Sequence, residues 1–139
     1  MTDKKFFKIM KHESSEYSDD FSDAFPFWVM KIFFLNLSDD DVERVVEGLD
    51  HNDESIDGFW GSDETKEINF IQCKSAISEK KLQPCKKEWL SYFYDVPNKL
   101  RNLDYISDHR NQRIKDIAAD YAIALKKKYK TRFYFFHLG

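Results

Sequence analysis

Glu67-Ile68-Asn69-Phe70-Ile71-Gln72-Cys73-Lys74 is the stretch on which the fold turns. It is rich in β-branched and aromatic residues and holds neither glycine nor proline, the composition of a strand that packs on a pleated surface. Just upstream, Ile56-Asp57-Gly58-Phe59-Trp60 is a second short apolar run, and Gly61-Ser62-Asp63-Glu64-Thr65 between the two has the composition of a hairpin loop. Antiparallel pairing across that loop is the expected arrangement.

Working outward toward the N-terminus, residues 50–55 form a turn-prone cluster. Before it, Ser38 with Asp41 three residues on gives a capping box, followed by Val42, Val45, Val46 and Leu49 at helical spacing and a stop at Gly48. An earlier helix begins near Asp23, capped by Ser22 or Asp23 and carrying Pro26 in its tolerant first turn. Its stripe is Phe25, Trp28, Val29, Ile32 and Leu35 or Asn36, and Phe27, Phe33 and Phe34 make it apolar on nearly every side, which predicts a helix buried in the core or covered by a neighbour. Residues 1–21 read as a polar lead-in with at most a short helix.

On the C-terminal side, residues 81–102 carry Trp89, Phe93, Val96, Leu100 and then Leu103 on one stripe, with Pro97 set to kink or restart the helix. Residues 111–129 place Ile114, Ile117, Ala118, Tyr121, Ala122, Leu125 and Tyr129 on one face, and Lys126-Lys127-Lys128 suits a helix C-terminus. Arg132-Phe133-Tyr134-Phe135-Phe136-His137 is an aromatic strand that helices must cover. These elements predict one α/β domain over 22–139.

Composition narrows the class. Of 139 residues 42% are hydrophobic and 17% aromatic, including 13 Phe, too much apolar bulk for a disordered chain. Only 4 Gly and 3 Pro are present, which argues against a turn-dense all-β fold. No run of apolar residues is long enough for a signal peptide or a membrane span, so a cytoplasmic setting is expected, with Cys73 and Cys85 as free thiols. The absence of CxxC and HxxxH pairs argues against a structural zinc site.

The net charge of −3 hides a division. Residues 1–64 hold 17 acidic and 6 basic side chains, a balance of −11, whereas 65–139 hold 8 acidic and 16 basic, a balance of +8. Such asymmetry accompanies nucleic-acid or membrane contact, although two solvated faces would produce it as well.

Chemistry concentrates where the two central strands would meet. Asp57 opens the first, and Gln72 and Lys74, two apart on the second, point to one face of the sheet. Packing gives no reason to gather an acid, an amide and an ammonium there. A hydrolytic nuclease does: a carboxylate and a second oxygen ligand hold Mg²⁺ against the phosphate, and a lysine positions water and steadies negative charge. Cys73, between two outward-facing residues, is expected to pack inward rather than act as a nucleophile.

Asp53-Glu54-Ser55-Ile56-Asp57-Gly58, a 13-residue spacer and Gln72-Cys73-Lys74 together resemble the D-x-x-I-D-G…Q-x-K signature of PD-(D/E)XK nucleases. Gln in place of the usual acid is similar to Mrr-like restriction endonucleases and to the N-terminal region of abortive-infection phage-resistance (AIPR) proteins. The resemblance covers roughly 22–137 and implies a restriction-endonuclease-like αβββαβ core with a mixed central sheet flanked by helices. It implies that Asp57 and Gln72 ligate Mg²⁺, with Mn²⁺ as substitute, that the Cys73 backbone carbonyl completes the shell, and that Lys74 is catalytic. It further implies cleavage of nucleic acid, DNA before RNA, in anti-phage or restriction defence, with a homodimer for duplex cutting and the chain as the N-terminal part of a longer protein. One element departs from the pattern. Family members commonly carry a Glu after the Phe near the start of helix one, but Pro26 follows Phe25 and residues 25–35 hold no carboxylate. Glu47 or Asp53 stands as the replacement ligand. Lys80, Lys81, Lys86, Lys87 and Lys126–Lys128 are candidates for phosphate contact or solvated faces. Two alternatives remain open: a catalytically inactive nuclease-fold module that binds nucleic acid or a protein partner, and a regulatory protein with no nucleic-acid role.

Overall fold

The computed structural model describes residues 3–15, 21–34, 38–46, 55–74 and 85–137. In chain order these form α1 (Asp3–Ser14), α2 (Phe21–Phe33), α3 (Asp39–Val46), β1 (Gly58–Ser62), β2 (Glu67–Lys74), α4 (Lys87–Tyr94), α5 (Val96–Leu100), α6 (Leu103–Ser107), α7 (Gln112–Lys126) and β3 (Lys130–His137). β2 occupies the stretch 67–74 and lies at the centre of a three-stranded mixed sheet in the order β1-β2-β3. It pairs antiparallel with β1, Gly58 opposite Ile71, and parallel with β3, Lys74 opposite His137. A parallel pair needs a long crossover, which α4 to α7 supply.

Because β2 is central, both of its faces are covered. Ile68 and Phe70 pack with Phe93, Val96, Leu100, Ile114, Ile117 and Tyr121 of the later helices. Ile71 on the opposite face packs with Met30, Val42 and Val45, and Cys73 joins Met10, Phe25 and Val29. β3 alternates to match: Phe133 and Phe135 reach the first cluster, Tyr134 and Phe136 the others. Phe70 is fully buried and touches Phe59, Tyr121 and Phe133 at ring-centroid distances of 5.2, 5.5 and 5.6 Å. Burial of such a ring stabilises the fold by about 3 kcal/mol.

Local signals explain most boundaries. Ser38 Oγ accepts from Asp41 N at 3.1 Å, and Asp41 Oδ2 accepts from Ser38 N at 3.3 Å, the reciprocal box expected at the start of α3. Those bonds, with help from Arg44, hold the Asp41 carboxyl below the usual carboxylate range. Asn111 caps α7 by accepting from Arg113 N at 2.8 Å. α7 ends in a Schellman arrangement: Tyr129 N donates to Ala124 O and Lys128 N to Leu125 O, with Lys128 left-handed at φ 62°. The helix therefore stops and the chain turns into β3.

Several expectations are revised. The lead-in carries a twelve-residue helix, α1, because Met10 has a buried place against Phe25 and Val29, and Glu13 accepts from the Trp28 indole at 2.9 Å. α2 is not buried all round, since Phe33 is 60% exposed. In α7 the buried face includes Ala124, while Ala122 and Leu125 turn outward. Leu103 is 81% exposed, because Asn102 caps a new helix there and breaks the stripe. The expected second helix is present to Val46; Gly48 and Leu49 lie outside the described residues. Among the described residues there are three strands and no helix long and apolar enough to cross a membrane.

Gly58 sits where α3 presses on β1. A Cβ there would stand 2.9 Å from Val45 Cγ1, and valine has few rotamers with which to yield. Gly58→Ala is expected to lower the stability to urea unfolding by about 1–3 kcal/mol. Adding Val45→Ala should return part of that loss, so the double variant should fall short of the sum of the singles.

Candidate functional site

Asp57 stands one residue before β1, at the end where the β1–β2 ladder stops. Buried Ile56 anchors the chain on one side of it and Gly58 on the other. Its N–H donates to Ile71 O at 2.7 Å, and its Oδ2 accepts from Cys73 N at 2.6 Å. The carboxylate thus takes the place that a further β1 carbonyl would have filled. It is fixed on the amide that joins Gln72 to Cys73. In a strand the N–H and C=O of one residue leave on the same side, so the Cys73 carbonyl faces the same edge as this carboxylate.

Gln72 and Lys74 leave β2 on the face covered by α4–α7. Gln72 is 4% exposed, and its Oε1 has no hydrogen-bond partner among the described residues. An acceptor buried without a partner costs about 1–3 kcal/mol. Lys74 is half-buried, and its Nζ lies 5.5 Å from the centroid of the Trp89 ring on α4. Cys73 packs inward against Phe136 and the α1–α3 side, as expected. Burial, and then the negative charge of Asp57, push its thiol well above the ordinary range.

The donors at this strand end are a carboxylate, an amide oxygen and a backbone carbonyl. All are hard oxygen ligands of the kind Mg²⁺ takes. The orphaned Gln72 Oε1 is the member that most needs such a partner. Glu47 and Asp53, the candidates for a further acidic ligand, lie outside the described residues, as do Lys80 and Lys81. No group of three His, Cys, Asp or Glu gathers among the described residues.

Lys86 and Lys87 are exposed at the start of α4, and Lys86 Nζ is 5.4 Å from the Trp89 centroid. Lys126–Lys128 are not part of this neighbourhood. They lead into the start of β3, and an eight-residue strand at ~3.3 Å per residue separates them from His137 by roughly 25 Å. Two participants were missed in the sequence. Trp89 reads there as one member of a core stripe and His137 as the end of a strand, yet their rings lie 5.8 Å apart beside Lys74. The parallel register that joins them leaves no local mark.

A separate open cleft of about 400 Å³ lies along the outer edge of β1, with Arg44 and Asp41 of α3 on one side and Arg113 and Asp120 of α7 on the other. Arg113 Nη2 donates to Arg44 O at 3.4 Å across that edge. Asp57, Gln72 and Lys74 do not line it.

In comparisons with protein-family models, curated proteins and solved structures, the chain matches none.

The two thiols differ in access, Cys85 being exposed and Cys73 packed beneath the sheet with a raised pKa. At pH 8 a disulfide reagent such as DTNB is expected to titrate one thiol quickly and the second only after denaturant is added. Asp57→Ala removes the charge that helps raise the Cys73 pKa and should let that thiol react slowly before denaturant is added.

Proposed function

We propose that the chain is a metal-dependent phosphodiesterase domain of the restriction-endonuclease-like type, acting on nucleic acid. The observation that carries the reading is the Asp57 carboxylate held 2.6 Å from the Cys73 amide nitrogen, next in the chain to Gln72, whose Oε1 is buried with no hydrogen-bond partner among the described residues. The resemblance of Asp57-Gly58…Gln72-Cys73-Lys74 to the PD-(D/E)XK signature points the same way. Asp57, Gln72 and the Cys73 carbonyl would hold Mg²⁺, with Glu47 or Asp53 as a further ligand. Once bound, the ion would polarise the phosphate and lower the pKa of a water.

The chain's own groups do the rest. The bond from Cys73 N fixes the carboxylate, so little reorganisation is needed when substrate arrives. Lys74, on the same strand face as Gln72, carries its ammonium where a water can be oriented and where charge grows on the phosphoryl oxygens. Water would attack phosphorus and give a proton to solvent as the bond to one ester oxygen breaks, and that oxygen would leave with a proton taken up from solvent. DNA is the preferred substrate in this reading, cut by a homodimer in a cytoplasmic, phage-restricting role.

A second reading is a nuclease-fold module that binds nucleic acid without cutting it. It is favoured by the lack, among the described residues, of any group of three His, Cys, Asp or Glu that could hold a metal ion.

Incubation with plasmid DNA and with RNA in Mg²⁺ or Mn²⁺ separates the two. Cleavage is expected in the wild type and a fall of about 10²-fold or more in Asp57→Ala, Gln72→Ala and Lys74→Ala. Equal rates in all four proteins overturn the hydrolytic assignment. Binding without cleavage in any metal favours the second reading.

A further inference from the structure

The C-terminal ends of β2 and β3 lie side by side, with Lys74 opposite His137, and α4 begins against them. Around the half-buried indole of Trp89 stand Lys74 Nζ at 5.5 Å, Lys86 Nζ at 5.4 Å and the His137 ring at 5.8 Å. The two ammonium groups are therefore no more than about 11 Å apart, the sum of their distances to the ring centre. Among the described residues neither is paired with a carboxylate.

Holding two cations and an imidazole donor around one ring, with neither cation ion-paired among the described residues, gains little for folding. Cations at a partly exposed aromatic face are only weakly held, and like charges repel. The arrangement becomes favourable when an anion arrives. One strand of B-DNA carries a charge every ~3.4 Å of axis, so two ammonium groups within ~11 Å of each other can meet neighbouring phosphates of one strand.

We propose that Lys86 and His137, arrayed with Lys74 around Trp89, form a second phosphate subsite beside the reacting one. The substrate is then a nucleic-acid strand gripped at two or more neighbouring phosphates, not a mononucleotide or a small phosphate ester. This rests on the reading of Asp57, Gln72 and Lys74 as the reacting centre. Lys86 supplies charge and His137 a directional N–H donor. Trp89 is a positioning residue that keeps both ammonium groups on one side of the strand ends.

The test is fluorescence anisotropy with a labelled twelve-nucleotide single strand and a twelve-base-pair duplex. It is run in EDTA so that binding is read apart from cleavage. In Lys86→Met the slope of log Kobs against log salt is expected to fall by about 0.7 for the single strand and about 0.9 for the duplex. Trp89→Leu should weaken binding about tenfold, and Trp89→Phe should recover most of it. A mononucleotide should compete equally poorly against the wild type and Lys86→Met. Lys86 is exposed, so its variant should fold, and circular dichroism checks this. An unchanged salt slope in folded Lys86→Met overturns the subsite, whether or not the protein cuts. A slope lowered as expected in a protein that never cuts upholds the subsite and removes the hydrolytic reading instead.

Discussion

Everything at the candidate site depends on where β1 stops. A central strand must satisfy its backbone on both edges, and β2 runs past the start of β1 by several residues. The Cys73 N–H would face an empty edge there, and leaving it unmade would cost a buried donor's desolvation. Asp57 supplies the acceptor from a side chain. A structural need thus places a carboxylate at the one point of β2 where an amide oxygen and an ammonium also emerge. One bond serves both the sheet and the chemistry proposed for it.

That economy has a second part. The strand that carries Gln72 and Lys74 on one face carries Ile71 and Cys73 on the other, and each face is covered by a different helical layer. Close packing on both sides leaves the backbone of 71–74 little freedom, so the polar groups it projects are held by the core beneath them. Trp89 extends the same logic outward. Its ring is half-buried and at the same time offers its π-face to Lys74.

What could be read from the sequence follows the range of the interaction. The strand at 67–74, the hairpin, the Ser38 box and the Asn111 cap are written in neighbouring residues, and the structure has them at or near those positions. That Asp57 falls opposite the 72–74 end of β2 was legible for the same reason, because a short hairpin fixes register. α1 was not, since Met10 is worth burying only once α2 and β3 are in place. The phase of α7 drifted by a residue or two over four turns, enough to exchange Ala122 and Leu125 for Ala124. Trp89 stands on the first helix of the crossover and His137 at the end of the strand that follows it, and nothing local announces that they meet.

The guanidinium of Arg113 reaches over the outer edge of β1 to the carbonyl of Arg44, and so fastens helices from opposite layers to each other. A strand at the rim of a sheet invites another chain to add itself there. With a bulky cation lying across it and Asp41 and Asp120 flanking the opening, the rim of β1 is a poor template for such growth. The clasp therefore works against strand-to-strand self-association at this rim, in a molecule that carries 13 phenylalanines.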